Sequence, residues 1–244
     1  MNILIVGAGY VCLPFSIAFS NILKFDCYDI DKDRIQELKN GIDKNKQEGG
    51  NLINKNLNFI NHLDIKINYK FIIITVPTPI NGHNHPDLSH IEDASINVAK
   101  LIKKNTIIIY ESTTYPGCTE EFCIPLLEQH SNLKYNKDFF VAYSPERVNP
   151  GDKVNTLNSI TKIVGSNHSK TCQKVTKLYN TICKSIYQVS SLKIAEAAKV
   201  IENIQRDINI ALVNELSVLF HKMNIPTNEG LKAASTKWNF HYYK

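Results

Sequence analysis

The sequence predicts an α/β fold in which a doubly wound parallel sheet is followed by a long helix and a partial helical domain. Short β-branched runs alternate with helical patterns over most of the chain, as in successive βαβ units. The run at 71–76 is continuously apolar, which is typical of a strand buried on both faces of a parallel sheet. Beyond residue 189 the pattern is helical. We therefore expect a sheet domain over 1–189 and an incomplete helical domain over 190–244.

The order of the predicted elements follows the spacing of apolar residues. Predicted strands lie at 3–6, 25–29, 71–76, 106–110, 139–142 and 186–189. Predicted helices lie at 14–23, at 32–39, from just after Asp87 to Ile102, at 191–223 and in a short segment ending at Ala234. The polar segment 41–61 is interpreted as a surface excursion. The pattern at 191–223 fits one helix of about 50 Å, and two shorter helices with a bend remain an alternative.

Composition narrows the class of protein. The net charge of +5 comes from scattered lysines rather than a basic stripe, which argues against a nucleic-acid binder. The six cysteines include no CxxC pair and no cluster with zinc-ligand spacing, so we expect reduced, buried thiols and no metal. No apolar run reaches the length of a membrane span, and no signal peptide is recognisable. We expect a cytoplasmic protein that contacts no membrane.

A glycine-rich turn follows the first predicted strand. Gly7 permits a tight turn and Gly9 lets the backbone approach a pyrophosphate, with Tyr10 and Val11 leading into the first helix. Cys12 stands where a third glycine is usual, which predicts a slightly wider helix rather than a lost site. Asp29 ends the next strand, where an acid binds the ribose hydroxyls and disfavours a 2′-phosphate. The pattern predicts a Rossmann-type site for NAD, although Arg34 lies close enough to weaken the preference over NADP.

Further segments resemble the UDP-glucose/GDP-mannose dehydrogenase family, and within it the UDP-N-acetylglucosamine and UDP-N-acetylgalactosamine 6-dehydrogenases of surface-polysaccharide synthesis. They occur in the family's order along nearly the whole chain. The matching segments are Val76-Pro77-Thr78-Pro79, Pro86-Asp87-Leu88-Ser89, Glu111-Ser112-Thr113-Thr114-Tyr115-Pro116-Gly117, Ser144-Pro145-Glu146-Arg147-Val148-Asn149-Pro150-Gly151, Ala197-Ala198-Lys199-Val200-Ile201-Glu202-Asn203 and Thr236-Lys237-Trp238-Asn239-Phe240.

The resemblance implies oxidation of a UDP-sugar 6-hydroxyl to a carboxylate with NAD. It implies that Thr113 positions a catalytic water, that Glu146 acts in thioester hydrolysis, and that Lys199 and Asn203 stabilise the oxyanion of the reacting alcohol. These two lie one turn apart on a predicted helix, so they share a face.

The resemblance also assigns binding roles. It suggests Pro77, Thr78 and Thr113 as further cofactor contacts. Arg147 and Arg206 are candidate contacts for the sugar or the diphosphate. A homodimer through the long helix is an expectation from the family.

The sequence departs from the family after residue 240, where the cysteine loop that supplies the nucleophile and the C-terminal sugar-binding domain would follow. We therefore expect a truncated dehydrogenase that is inactive alone. Two alternatives remain open. The first is a non-catalytic NAD-binding or interaction subunit. The second is a complete small β-hydroxyacid-type dehydrogenase, a class that also uses a lysine and an asparagine on a long helix.

Overall fold

The structure is a computed structural model that describes residues 2–9, 12–44, 54–147 and 156–240. It divides into two compact units, Met1–Ala197 and Ala198–Lys244. The first unit carries the sheet, and the second consists of helical chain.

The first unit is built on an eight-stranded sheet with strand order β3-β2-β1-β4-β5-β6-β7-β8. The strands are β1 (Asn2–Val6), β2 (Phe25–Tyr28), β3 (Leu57–Ile60), β4 (Tyr69–Ile74), β5 (Ile107–Tyr110), β6 (Phe140–Tyr143), β7 (Thr161–Gly165) and β8 (Ser185–Val189). Strands β1 to β6 pair in parallel, so their carboxyl ends meet at one edge. This confirms the predicted doubly wound parallel sheet.

The order in which strands are added to the sheet changes direction at β1. The chain proceeds from β1 outward to β2 and β3, then returns to place β4 on the other side of β1. The crevice outside β1 and β4 is therefore the topological switch point, where open α/β sheets bind their ligands. Strand β7 is antiparallel to β6 through the pair Tyr143 and Gly165, an inversion that the sequence did not predict.

Helices pack against the sheet and bury its apolar core. They are α1 (Cys12–Ser20), α2 (Lys32–Lys39), α3 (Ser89–Ala99), α4 (Ile124–Ser131) and α5 (Ser169–Tyr179), with a π-helical turn at Thr119–Cys123 before α4. Helix α1 is apolar and packs against β1, β2 and β3. It also contacts α5, since the Phe15 and Phe19 rings both lie about 6 Å from the Tyr179 ring between centroids. All six cysteines are free and buried, as predicted.

The long helix α6 spans Leu192–Lys222 without interruption, which decides between the two predicted alternatives in favour of one helix. It begins in the first unit and continues through the second. Asn224 adopts a left-handed conformation with φ 55, and α7 (Thr227–Ala234) begins after Pro226. None of the helices in the described ranges combines the length and apolarity of a bilayer span.

Four elements escaped the sequence patterns: β3, β7, α4 and α5. The segment 41–61 was predicted as a surface excursion inside the sheet domain, and this is wrong for its end, because β3 pairs with β2 as the edge strand of the sheet. Polar Asn58 masks the strand pattern there. Its amide donates to Asp26 on the neighbouring strand at 3.0 Å, which satisfies the polar group within the sheet.

Candidate functional site

The carboxyl edge of the sheet gathers most of the predicted site residues of the first unit. Gly7 follows β1, Asp29 follows β2, Thr78 lies just after β4, Thr113 after β5 and Glu146 after β6. Because these strands are parallel neighbours around the switch point, residues distant in sequence lie along one edge.

The glycine turn has the geometry that a dinucleotide needs. Gly7 has φ +101, and a Cβ there would lie 3.3 Å from the carbonyl carbon and Oγ1 of Thr75. Thr75 Oγ1 donates to the carbonyls of Val6 and Gly7 at 3.0 Å, and these hydrogen bonds hold the end of β4 against the glycine turn that follows β1. At Gly9, by contrast, no described atom lies within 4 Å of a Cβ position, so space beside the turn is open. The turn thus fits an NAD pyrophosphate; the predicted contacts Tyr10 and Val11 lie outside the described residues.

Asp29 and Arg34 both hydrogen-bond to the backbone of Ala8 in the turn. The backbone N–H of Ala8 donates to Asp29 Oδ2 at 2.6 Å, and Arg34 Nε donates to the Ala8 carbonyl at 3.2 Å. The other carboxylate oxygen of Asp29 accepts from the Asp31 N–H at 2.9 Å. Each carboxylate oxygen keeps a second lone pair, so Asp29 can still accept from ribose hydroxyls.

Cys12 replaces the third glycine without disturbing the packing. Its side chain is fully buried, with Sγ 3.1 Å from Cys27 Sγ on β2 and 3.2 Å from Ser16 Oγ. The hydrogen bond with Cys12, together with burial, raises the pKa of the Cys27 thiol well above its usual value. Both thiols therefore act as small core side chains.

The loops after β4 and β5 are joined to each other. Thr78 Oγ1 donates to the Thr113 carbonyl at 2.7 Å, and Ser112 Oγ donates to the Val76 carbonyl at 2.6 Å. The side chains of Pro77 and Thr113 are exposed at this edge. The structure therefore brings together three predicted cofactor contacts on the β5 side of the switch point.

A buried charged cluster that the sequence reasoning missed lies behind Glu146. Lys162 Nζ on β7 donates to Glu111 Oε2 at 2.8 Å, with both side chains almost completely buried. The Tyr179 hydroxyl donates to the other Glu111 oxygen. Burial, with a smaller contribution from the nearby Glu146 carboxylate, raises the pKa of Glu111 to about 7 against the opposing attraction of Lys162.

Residues of β7 also hold the backbone of the Glu146 segment. Lys162 Nζ donates to the Pro145 carbonyl at 3.1 Å, and Ser144 Oγ donates to the Ile163 carbonyl at 2.6 Å. Arg147 donates to the Thr161 carbonyl at 2.8 Å. The position of Glu111 directly after an entirely apolar strand was the one signal in the sequence for this cluster.

Glu196 is a second buried carboxylate that the sequence reasoning missed. It lies near the start of α6 in the first unit and is fully buried. Its oxygens accept from the N–H of Gly117 at 2.6 Å, from the N–H and hydroxyl of Thr119 at 2.9 and 2.6 Å, and from the Thr114 hydroxyl at 3.2 Å. The carboxylate thus fixes the loop that follows Thr113.

The remaining predicted residues belong to the second unit. Lys199 and Asn203 are half-buried positions of α6, and Arg206 is exposed one turn further on. An Arg206 guanidinium nitrogen donates to Asn203 Oδ1 at 3.0 Å. Arg147 and Arg206, predicted to share a substrate role, therefore fall in different units. In the described part of the chain no group of His, Cys, Asp and Glu is arranged to hold a metal ion.

Comparison with known families explains this arrangement. Residues 1–183 match the NAD binding domain of the UDP-glucose/GDP-mannose dehydrogenase family, and residues 193–244 match its central domain. The chain belongs to this family. Its first unit is thus an NAD-binding domain, in agreement with the open glycine turn and the acid after β2.

Individual relatives cover the whole chain but are themselves longer. Protein CapL of Staphylococcus aureus is 50% identical over 100% of this chain and 58% of its own length. A UDP-N-acetyl-D-glucosamine 6-dehydrogenase of Salmonella typhi is 44% identical over 98% of this chain and 57% of its own. The solved UDP-D-ManNAc dehydrogenase of Pyrococcus horikoshii superposes with a TM-score of 0.90 at 31% identity, over 100% of this chain and 60% of that one. The chain thus spans somewhat over half the length of these proteins.

Proposed function

We propose that this chain forms the NAD-binding and central parts of a nucleotide-sugar 6-dehydrogenase that acts on a UDP-N-acetylhexosamine. The observation that carries the proposal is 44% identity, over 98% of the chain, to a relative named UDP-N-acetyl-D-glucosamine 6-dehydrogenase. The convergence of the glycine turn, Asp29, Thr113 and Glu146 on one sheet edge supports it. We assign residues 1–189 to cofactor binding and 190–244 to the central domain.

The cofactor half of the site follows from the open turn. A bound NAD would supply the hydride acceptor for oxidation of the sugar carbon. The backbone at Gly9 receives the pyrophosphate, Asp29 accepts from the ribose hydroxyls, and Pro77, Thr78 and Thr113 line the end of the site on the β5 side. Gly7 holds the turn that makes this possible.

The substrate half rests on family resemblance and on the chemistry of the side chains. Lys199 and Asn203 supply a cation and an amide donor, which suit stabilisation of the developing oxyanion. Thr113 orients a water, Glu146 assists the hydrolytic step, and Arg147 and Arg206 contact the anionic substrate. The exposure of Ile201, Ile204 and Ile208 on α6, at 66%, 52% and 60%, supports a homodimer through this helix.

The thioester step needs a cysteine thiolate that can reach the aldehyde. All six cysteines of the chain are buried, so none of them suits that role. We propose that the nucleophile belongs to the part of the relatives' length that this chain does not match. The free, buried thiols also fit a reducing compartment, which supports a cytoplasmic location.

The experiment combines binding with turnover. Calorimetry with NAD⁺ tests the chain itself, and Asp29→Asn serves as the comparison variant, because it removes the carboxylate charge and replaces one acceptor oxygen with an NH2 donor. NADH formation is then followed with UDP-N-acetylglucosamine, UDP-N-acetylgalactosamine and UDP-N-acetylmannosamine. We expect NAD⁺ binding by the chain, weakened by Asp29→Asn, with no steady turnover.

Three outcomes would contradict parts of the proposal. A folded chain that fails to bind NAD⁺ overturns the cofactor assignment. Steady NADH formation by the chain alone overturns the need for an external nucleophile. If adding the relatives' unmatched portion as a separate polypeptide gives turnover that Lys199→Met leaves intact, the role of Lys199 is wrong.

A further inference from the structure

The Arg34 side chain contacts the Ala8 carbonyl and two carboxylates, those of Asp43 and Glu37. Asp31 caps α2 by accepting from the Arg34 N–H at 3.1 Å, which places the residue in the first turn of α2. The side chain then runs back to the glycine turn, where Nε donates to the Ala8 carbonyl at 3.2 Å. One terminal nitrogen donates to Asp43 Oδ1 at 2.8 Å and the other lies 3.5 Å from Glu37 Oε2. Only 11% of the side chain is exposed.

Asp43 is the strongest of these partners. Its side chain is 3% exposed, whereas that of Glu37 is 16% exposed and is also paired with Lys44. A charged hydrogen bond that is shielded from water is stronger than one at the surface. The Arg34 charge is therefore directed towards Asp43.

Position makes this pair relevant to the cofactor. Asp29 accepts from the Ala8 N–H and Arg34 donates to the Ala8 carbonyl, so the guanidinium and the acid expected to meet the adenosine ribose both bind the same residue of the glycine turn. In dinucleotide-binding folds an arginine at this place accommodates the 2′-phosphate of NADP. Here the arginine is present, but its Nη2 already donates to the Asp43 carboxylate, while its buried Nη1 has no hydrogen-bond partner among the described residues.

We propose that Asp43 is a specificity-determining residue of the dinucleotide site, which keeps Arg34 from binding a 2′-phosphate. A phosphate at the ribose 2′ position has to displace Asp43 from the guanidinium while it faces the Asp29 carboxylate. NAD, with a hydroxyl there, meets neither cost. The selection against NADP thus rests on Asp43, which holds the Arg34 guanidinium, as well as on Asp29 after β2. This inference rests on the NAD site of the proposed function.

The test measures the dissociation constants of NAD⁺ and NADP⁺ by calorimetry on the chain as it is. Asp43→Asn removes the charge that holds Arg34 and keeps the side-chain shape. Asp33→Asn is the matched control, since it neutralises an exposed carboxylate of the same helix next to Arg34 in sequence. The double variant Asp43→Asn with Arg34→Gln asks whether any effect depends on the guanidinium.

We expect Asp43→Asn to lower the ratio of the NADP⁺ to the NAD⁺ dissociation constant by about tenfold, the worth of one freed charged hydrogen bond. Asp33→Asn should leave the ratio at the wild-type value, and the double variant should lose the gain. Asp43→Ser should repeat the result if Asp43→Asn fails to fold, as judged by circular dichroism.

Several results would overturn the inference. The ratio could stay unchanged in folded Asp43→Asn, fall equally in Asp33→Asn, or remain low in the double variant. Each of these, with NAD⁺ binding by the wild type intact, refutes the role of Asp43 alone. Absence of dinucleotide binding by the folded wild type refutes the cofactor site as well.

Discussion

Replacing Glu111 with glutamine should change how the stability of the first unit depends on pH. Glu111 is completely buried, accepts from Lys162 Nζ at 2.8 Å and from the Tyr179 hydroxyl, and lies near a second carboxylate, Glu146. Burial outweighs the attraction of Lys162 and raises the pKa of Glu111 from 4.5 to about 7. The folded protein therefore retains a proton that the unfolded chain has already lost.

The sign and size follow from proton linkage. Between about pH 4.5 and pH 7 the unfolded state binds fewer protons at this residue, so the Glu111 contribution to the free energy of unfolding falls as pH rises. A pKa difference between 4.5 in the unfolded chain and about 7 in the folded protein corresponds to about 3 kcal/mol of unfolding free energy. Glutamine has no proton to lose. The unfolding free energy of Glu111→Gln minus that of the wild type should therefore increase by about 3 kcal/mol from about pH 4 to about pH 8.

Urea unfolding followed by circular dichroism across this pH range measures the difference. Pairing each variant with the wild type at the same pH removes the contributions of the other titrating groups. Glu121→Gln is the matched control, since Glu121 is exposed and forms only a surface ion pair with Lys193 at 3.0 Å; its difference should vary by less than about 1 kcal/mol. A flat difference for Glu111→Gln, or one that falls with pH, would refute the reasoning.

Three further substitutions separate stability from cofactor binding. Gly7→Ala forces a side chain into a left-handed conformation with its Cβ 3.3 Å from Thr75, and should cost about 1–3 kcal/mol in thermal unfolding; a wild-type melting temperature would contradict this. Gly9→Ala meets no described atom within 4 Å, so it should unfold like the wild type yet bind NAD⁺ more weakly by calorimetry, and unchanged affinity would place the pyrophosphate elsewhere. Glu196→Ala leaves the donors of Gly117 and Thr119 unpaired, so it should lower the free energy of unfolding by about 3 kcal/mol and speed amide hydrogen exchange in that loop. Removal of an exposed carboxylate would have neither effect.

The features that the sequence determined by itself are those that depend on short segments of the chain. The alternation of strands and helices, the glycine turn and the acid after β2 each depend on a short segment, so their patterns are legible without knowledge of the fold. The bounds of α2 were predicted as the structure has them, Lys32–Lys39, because its amphipathic pattern and cap lie within one stretch of chain. Elements whose pattern is masked by polar residues, such as β3, were not recognised.

Only the tertiary structure decided which distant groups meet. Lys162 reaches Glu111 across 51 positions of sequence, and Glu196 reaches Thr119 across 77. These contacts depend on the order of the strands, on the inverted direction of β7 and on where α6 starts, none of which is encoded in a local period. Arg34 illustrates the same limit at short range. Its sequence position suggested a group open to a 2′-phosphate, whereas folding places Asp43 against its guanidinium, because a buried charge needs a partner.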